Sequence, residues 1–202
     1  MSGLRKISIT FIGIAVVSVI LSCSGHKFLK NDITPNGSIA VILAETRTGE
    51  VNVLLGDNLT RCLSEQTTLH VMQQSEVKNK LGKYPVKIKG PYTTANNEIS
   101  VDYSKTDMDA IAAVAEKIGV QYLYVVWFPF LYELGNGKRY DGEIVAQMFE
   151  FPSRKEIARG DYTITWITGF SVGAYSNQEE ATAGVAESVV KEIGANTGTL
   201  KK

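Results

Sequence analysis

Apolar and polar positions alternate along this chain in two rhythms, one of period two and one of period 3.6. Ile39-Ala40-Val41-Ile42-Leu43 is a continuous apolar run, which suits a strand covered on both faces. From Glu50 the spacing changes. Val51, Leu54, Leu55, Leu59, Cys62 and Leu63 recur at three and four residues, the stripe of one helix face. Leu69–Met72 reads as a second strand, and Ser75 as the cap of a short helix that Gly82 stops. Asp107–Ile118 is a helix with Met108, Ile111, Ala115 and Ile118 on one face and Gly119 as its terminator. Val120–Phe128 follows, the segment richest in β-branched and aromatic residues, and its apolarity points to the centre of a sheet. Pro129 is expected to end regular pairing there.

The remaining chain alternates. Gly135-Asn136-Gly137 is turn chemistry, Gly142–Phe151 and Glu156–Thr168 read as strands, and Pro152–Lys155 turns between them. Ser176-Asn177-Gln178-Glu179 matches a capping box and opens a helix expected to run to Ile193 and close at Gly194. Residues 83–105 fit this order least. Val86/Ile88 and Ile99/Val101/Tyr103 alternate, so the segment reads either as a hairpin excursion or as a long functional loop. The order predicts one α/β (α+β) domain over residues 38–195, a mixed sheet of four or five strands packed with three or four helices, and a tail at 196–202.

Ahead of that domain the pattern differs in kind. Arg5 and Lys6 form a short basic head, Ile7–Leu21 carries no charge, and Ser22 precedes Cys23. That is the outline of a secretory signal over residues 1–22, shorter than the roughly 20 apolar residues of a membrane span. Leu21-Ser22-Cys23 resembles the lipobox of bacterial lipoproteins in its looser form, as in spirochaetes. That resemblance implies that Cys23 is alkylated with diacylglycerol and becomes the mature amino terminus. Residues 23–37, polar and turn-rich, read as a lipidated cysteine and flexible tether, spanning at most about 50 Å. Ser24 after the cysteine, by analogy with enterobacterial sorting, implies the outer membrane.

Composition narrows the chemistry. The whole chain carries 21 basic and 21 acidic residues. Loss of Arg5 and Lys6 with the signal leaves a mature net charge of −2, no footprint for nucleic acid. With Cys23 lipidated, Cys62 stands alone on a helical stripe, and a buried, inert thiol is the expectation. His26 and His70 are the two histidines. They lie in the tether and in a strand, without zinc spacing or a serine-histidine pairing to Ser171 or Ser176. Glu179-Glu180 is explained by a helix first turn, and Asp141-Gly142-Glu143 reads as a solvated turn entering a strand. No cofactor, metal or catalytic set is expected. Phe128, Phe130 and Tyr132, beyond the central strand, are the candidate interface.

The element order resembles a group of envelope proteins: the Tol translocation protein's amino-terminal domain, the curli-secretion lipoprotein and the lipoprotein activators of penicillin-binding proteins. The phrase Ala112-Ala113-Val114-Ala115-Glu116-Lys117-Ile118-Gly119-Val120-Gln121-Tyr122 carries the resemblance most closely. It implies a non-enzymatic envelope component with a protein partner, anchored to the outer membrane by lipid, periplasmic or surface-facing. The alternative is a surface lipoprotein that binds host or extracellular macromolecules.

Overall fold

The computed structural model describes residues 27–28, 33–44, 50–95, 98–168 and 174–202. The signal segment and Cys23 lie outside them. In chain order the elements are β1 (Lys27–Phe28), β2 (Ser38–Leu43), α1 (Glu50–Gln66), β3 (His70–Val71), α2 (Gln74–Leu81), β4 (Tyr92–Ala95), β5 (Glu98–Val101), α3 (Met108–Ile118), β6 (Tyr122–Leu134), β7 (Arg139–Glu150), β8 (Lys155–Ile167) and α4 (Gln178–Thr197). One sheet runs β1-β8-β7-β6-β2-β3, and β4-β5 form a separate hairpin. The sheet is mixed: β2 is parallel to β3 and β6, and the others are antiparallel. It is the expected architecture, five strands with the two-residue β1 added at the edge.

The apolar run of β2 is explained by what covers it. Ile39, Val41 and Leu43 face α1 and α4, packing with Leu55, Leu59, Leu63, Val189 and Ile193. Ala40 and Ile42 face the other way, into a layer with Val77, Ile111, Ala115 and Ile118 of α2 and α3. Cys62 is fully buried in the first layer, and burial pushes its thiol above the ordinary value. That is an inert thiol.

Because β3 is only two residues long, β2 runs past its neighbour, and side chains complete its outer edge. Gln74 Nε2 donates to the Val41 carbonyl and to Thr60 Oγ1, both at 2.9 Å. Tyr84 Oη donates to Gln74 Oε1 at 2.7 Å and accepts from the Leu43 amide at 3.0 Å. A buried backbone group without a partner costs about as much as a lost hydrogen bond, so this network stands where a longer strand would. His70 is exposed on the short strand.

Several ends fall elsewhere than the sequence suggests. The α4 helix continues through Gly194 to Thr197, and Gly198, with φ 67°, is the left-handed terminator. Gly194 has another role: a Cβ there would lie 2.4 Å from Leu200 Cδ2, so it admits the returning tail. That tail is tied down, with the Thr68 amide donating to the Thr199 carbonyl and the Lys201 amide to the Gln66 carbonyl. At the other end Asn177, not Ser176, caps α4 by accepting from the Glu180 amide, and Glu180 accepts from the Ser176 amide and hydroxyl. The cap sits one residue later than read, and Glu180 reaches back to Ser176 rather than to the cap residue's own amide. Likewise Gln73, without a side-chain cap bond, precedes α2 in place of Ser75, and Asp107 caps α3 through the Ala110 amide.

Within the segment read as a tether, the described residues 27–28 and 33–37 touch the domain. Lys27 and Phe28 pair antiparallel with Arg159 and Ala158. Ile33 is buried, and the Thr34 amide donates to Tyr122 Oη at 2.8 Å. Gln121 Nε2 reaches Thr34 Oγ1, and the Gly37 amide closes a turn on the Thr34 carbonyl.

Candidate interaction surface

The strands β6, β7 and β8 are 13, 12 and 13 residues long, whereas β2 is six. β2 pairs with β6 only as far as Val126. The outer half of β6–β8 is therefore a three-stranded ribbon that outruns its neighbour. The turn that closes β6 onto β7 uses Gly135, Asn136 and Gly137 with φ of 65°, 57° and 78°. Glycine and asparagine are the residues that occupy this region at least cost.

Pro129 does not end β6. It sits in a bulge, where the register against β7 shifts between Trp127 and Phe130. A proline lacks an amide hydrogen and fits at such an irregularity. Facing residues of paired strands share a face, so one extra residue reverses the parity of everything beyond it. Trp127, opposite Val145, and Phe130, opposite Glu143, therefore lie on the same face, and Phe128 lies on the other.

This separates the three aromatics that the sequence groups. Phe128 is fully buried among Ile144, Ile164 and Trp166, against Gly142, where a Cβ would come within 2.6 Å of its ring. It belongs to the core and is withdrawn from the interface. Phe130 and Tyr132 are half-buried on the opposite face, their ring centroids 4.4 Å apart. Leu134, 47% exposed, continues the column at the tip.

The registers lay out this face in rows across the ribbon. Phe130, Glu143 and Thr163 form one, Tyr132, Asp141 and Thr165 the next, and Leu134, Arg139 and Ile167 the last. The column of Phe130, Tyr132 and Leu134 on β6 thus stands beside Glu143, Asp141 and Arg139 on β7. Asp141, Gly142 and Glu143 are mid-strand and not in a turn, because the turn closes earlier at 135–138. Asp141 is balanced: Arg139 Nε donates to both its oxygens at 3.0 Å, and Thr165 Oγ1 donates at 2.8 Å. Below, Tyr103 Oη donates to Asp161, and the Arg159 guanidinium lies over the Tyr103 ring while pairing with Glu156. Glu156 in turn accepts from Gln147 Nε2.

Burial, and then the Asp161 charge, raise the Glu143 carboxyl above the ordinary range. Partial burial, followed by the charges of Glu143 and Glu98, raises the Tyr132 phenol. A carboxyl raised in the fold stabilises the folded chain when protonated. That contribution is whole below the ordinary carboxylate range and is lost as pH rises through the raised value. Glu143→Gln, which stays neutral, is therefore expected to be more stable than the parent at pH 7. The advantage should shrink by about pH 3.5. Urea unfolding midpoints at the two pH values check this, and a difference independent of pH would contradict it.

The other face of the ribbon is covered. Tyr140 stacks on Trp166 at 4.9 Å, and Trp166 is buried. One face is thus closed by the core, and the other presents rings and carboxylates. No group of three or more histidine, cysteine, aspartate or glutamate side chains among the described residues could hold a metal ion. No helix among them is long and apolar enough to cross a membrane. The β6 bulge is the feature that sequence reading missed, and Pro129 was its only signal.

No protein-family model matches the sequence, and no curated protein does. Solved structures similar in outline exist. The PelC dodecamer from Paraburkholderia phytofirmans is 8% identical, covering 85% of this chain and 97% of that one, with a TM-score of 0.46. The lipoprotein GNA1162 from Neisseria meningitidis is 14% identical, covering 79% and 99%, with a TM-score of 0.47. The LpoB C-terminal domain from Salmonella enterica is 14% identical, covering 65% and 84%, with a TM-score of 0.39.

Proposed function

We propose that this chain is a non-catalytic lipoprotein of the bacterial cell envelope, held at the outer membrane by lipid on Cys23, that binds a protein partner through the Phe130–Tyr132 face. The observation that carries the reading is the half-covered ribbon. Two half-buried rings in contact stand on the ribbon beyond the last residue that β2 pairs, beside a partly buried carboxylate. Aromatic side chains bring large contact area at low entropy cost and dominate protein interfaces, which is why a half-exposed pair points to binding. The location is supported separately, by the basic head, the short apolar run and Leu21-Ser22-Cys23.

The test is a Phe130→Ala/Tyr132→Ala double variant, extracted in mild detergent and compared with the parent by quantitative mass spectrometry. Both side chains are half-buried at the ribbon end, so the domain should fold and stay in the membrane fraction. One envelope protein should co-purify at least about tenfold less, since losing a hot spot of ~1.4 kcal/mol or more changes affinity tenfold. An unchanged set of co-purifying proteins would remove the assignment of this face.

A further inference from the structure

The basic residues of this chain are unevenly placed. Lys78, Lys80, Lys83, Lys87 and Lys89 fall between positions 78 and 89, where no acidic residue occurs, and no arginine stands between Arg61 and Arg139. The fold employs the first two. Lys80 Nζ donates to the Ile118 carbonyl and Lys117 Nζ to the Leu81 carbonyl, both at 2.9 Å, so α2 and α3 each close the carboxyl end of the other. Lys80 also pairs with Glu76, and Lys78 lies 5.9 Å from the centre of the Tyr84 ring. Lys83, Lys87 and Lys89 are exposed and make no hydrogen bond or ion pair among the described residues.

A strand-like segment sets the direction of two of them. Val86 bridges in parallel to Ala44, its amide donates to the Leu43 carbonyl at 2.9 Å, and the Ile88 carbonyl accepts from Trp127 Nε1. Ile88 is buried and Val86 is half-buried against the α2 and α3 layer, so Lys87 and Lys89 alternate outward.

We infer that this lysine face docks on an anionic lipid bilayer. Side-chain type and charge choose the occupant. Arginine suits bidentate recognition of one carboxylate or phosphate, whereas lysine offers a compact, hydrated charge on a flexible stem. Unpaired lysines along one exposed segment, with no arginine among them, complement a diffuse anionic surface better than a single ligand. Each lysine near such a surface is worth about a fivefold change in partitioning, so the three unpaired ones together amount to roughly a hundredfold. The inference rests on the membrane anchor proposed above. A domain already held at the bilayer by its amino terminus meets it at high effective concentration, so attraction of this size decides which side faces the lipid. Trp127 and Phe130 share a face, which puts the lysine segment on the same side of the sheet as the rings. A protein meeting those rings would be one in the same membrane.

The test uses the full chain with a fluorophore at Asn79→Cys on α2 or at Ser188→Cys on α4. Both positions are exposed, Cys62 is buried and left in place, and the chain without either substitution gives the background. The protein is mixed with vesicles of phosphatidylcholine, with or without phosphatidylglycerol, that carry a quencher on the lipid headgroup. Phosphatidylglycerol should raise quenching at 79 at least about fivefold in low salt, leave 188 unchanged, and lose its effect as salt screens the surface. Lys83→Gln/Lys87→Gln/Lys89→Gln, which changes exposed side chains only, should abolish the rise. Quenching at 79 that ignores phosphatidylglycerol, equal rises at 79 and 188, or a rise that survives in the triple variant would overturn the inference. The anchor is read separately, from the amount of chain that the vesicles hold. Retention on phosphatidylglycerol vesicles alone would keep the lysine face and remove the anchor, and retention on neither would remove both.

Discussion

Cys23→Ala is expected to abolish acylation of this protein and to stop its processing by the lipoprotein peptidase, while leaving the domain folded. The thiol is the atom that would carry the diacylglycerol, and alanine offers no nucleophile in its place. Each buried methylene contributes about 0.8 kcal/mol to membrane binding, and stable anchoring takes more than one acyl chain. The whole association would therefore rest on one residue. The domain should be indifferent to the change, since its core begins at Ile33 and Ile39, beyond the lipid attachment site. The measurement is incorporation of a labelled fatty acid together with the mass of the amino-terminal peptide. Loss of label with retention of residues 1–22 is the expected outcome. Normal maturation and unchanged retention in the detergent-extracted membrane fraction would contradict lipid anchoring.

Trp127→Ala should cost about 3–5 kcal/mol of folding stability, the usual range for emptying a large aromatic site in a core. Trp127 is fully buried on β6, in the layer shared with α2, α3 and Ile88. Its Nε1 donates to the Ile88 carbonyl at 3.1 Å, so the substitution also leaves that buried carbonyl unpaired. Gly90 lies against the same indole, where a Cβ would come within 2.9 Å of Cδ1. The indole thus pins residues 88–90 to the sheet. For a domain of this size the loss corresponds to roughly 6–20 °C in Tm. Thermal unfolding by circular dichroism checks it, and a fall of only a degree or two would show that the site collapses around the gap. Phe130→Ala, on the half-covered face, should fall well short of it.

The contrast between those two aromatics shows how far the sequence could be read. Local rules carried the helices and strands. The spacing of Met108, Ile111, Ala115 and Ile118 with Gly119 gave α3, whose Gly119 has φ 73° and donates to the Ala115 carbonyl. The alternation of Ile99, Val101 and Tyr103 left a hairpin and a long loop both open, and the structure holds the β4–β5 hairpin. What stayed hidden depends on partners distant in sequence. A bulge is defined by the strand opposite, so Pro129 alone could mean an end or a shift, and only the shift places Phe128 in the core and Phe130 outside. Gly194 and Gly198 are alike in sequence, but Leu200 packs on the first and only the second turns left-handed. Residues 33–37 looked like linker because Tyr122 and Gln121, which hold Thr34, come nearly ninety positions later.

A photoactivatable cross-linker placed at Tyr132 in intact cells asks directly whether this face touches a protein. The same probe at Glu116 on α3 and at Lys191 on α4, both exposed, supplies the comparison. One envelope protein should be captured from position 132, and from Thr163 in the adjoining row, with little or no yield from 116 and 191. Adducts of equal yield from all four positions, or none from 132, would mean that the ribbon is not the binding face.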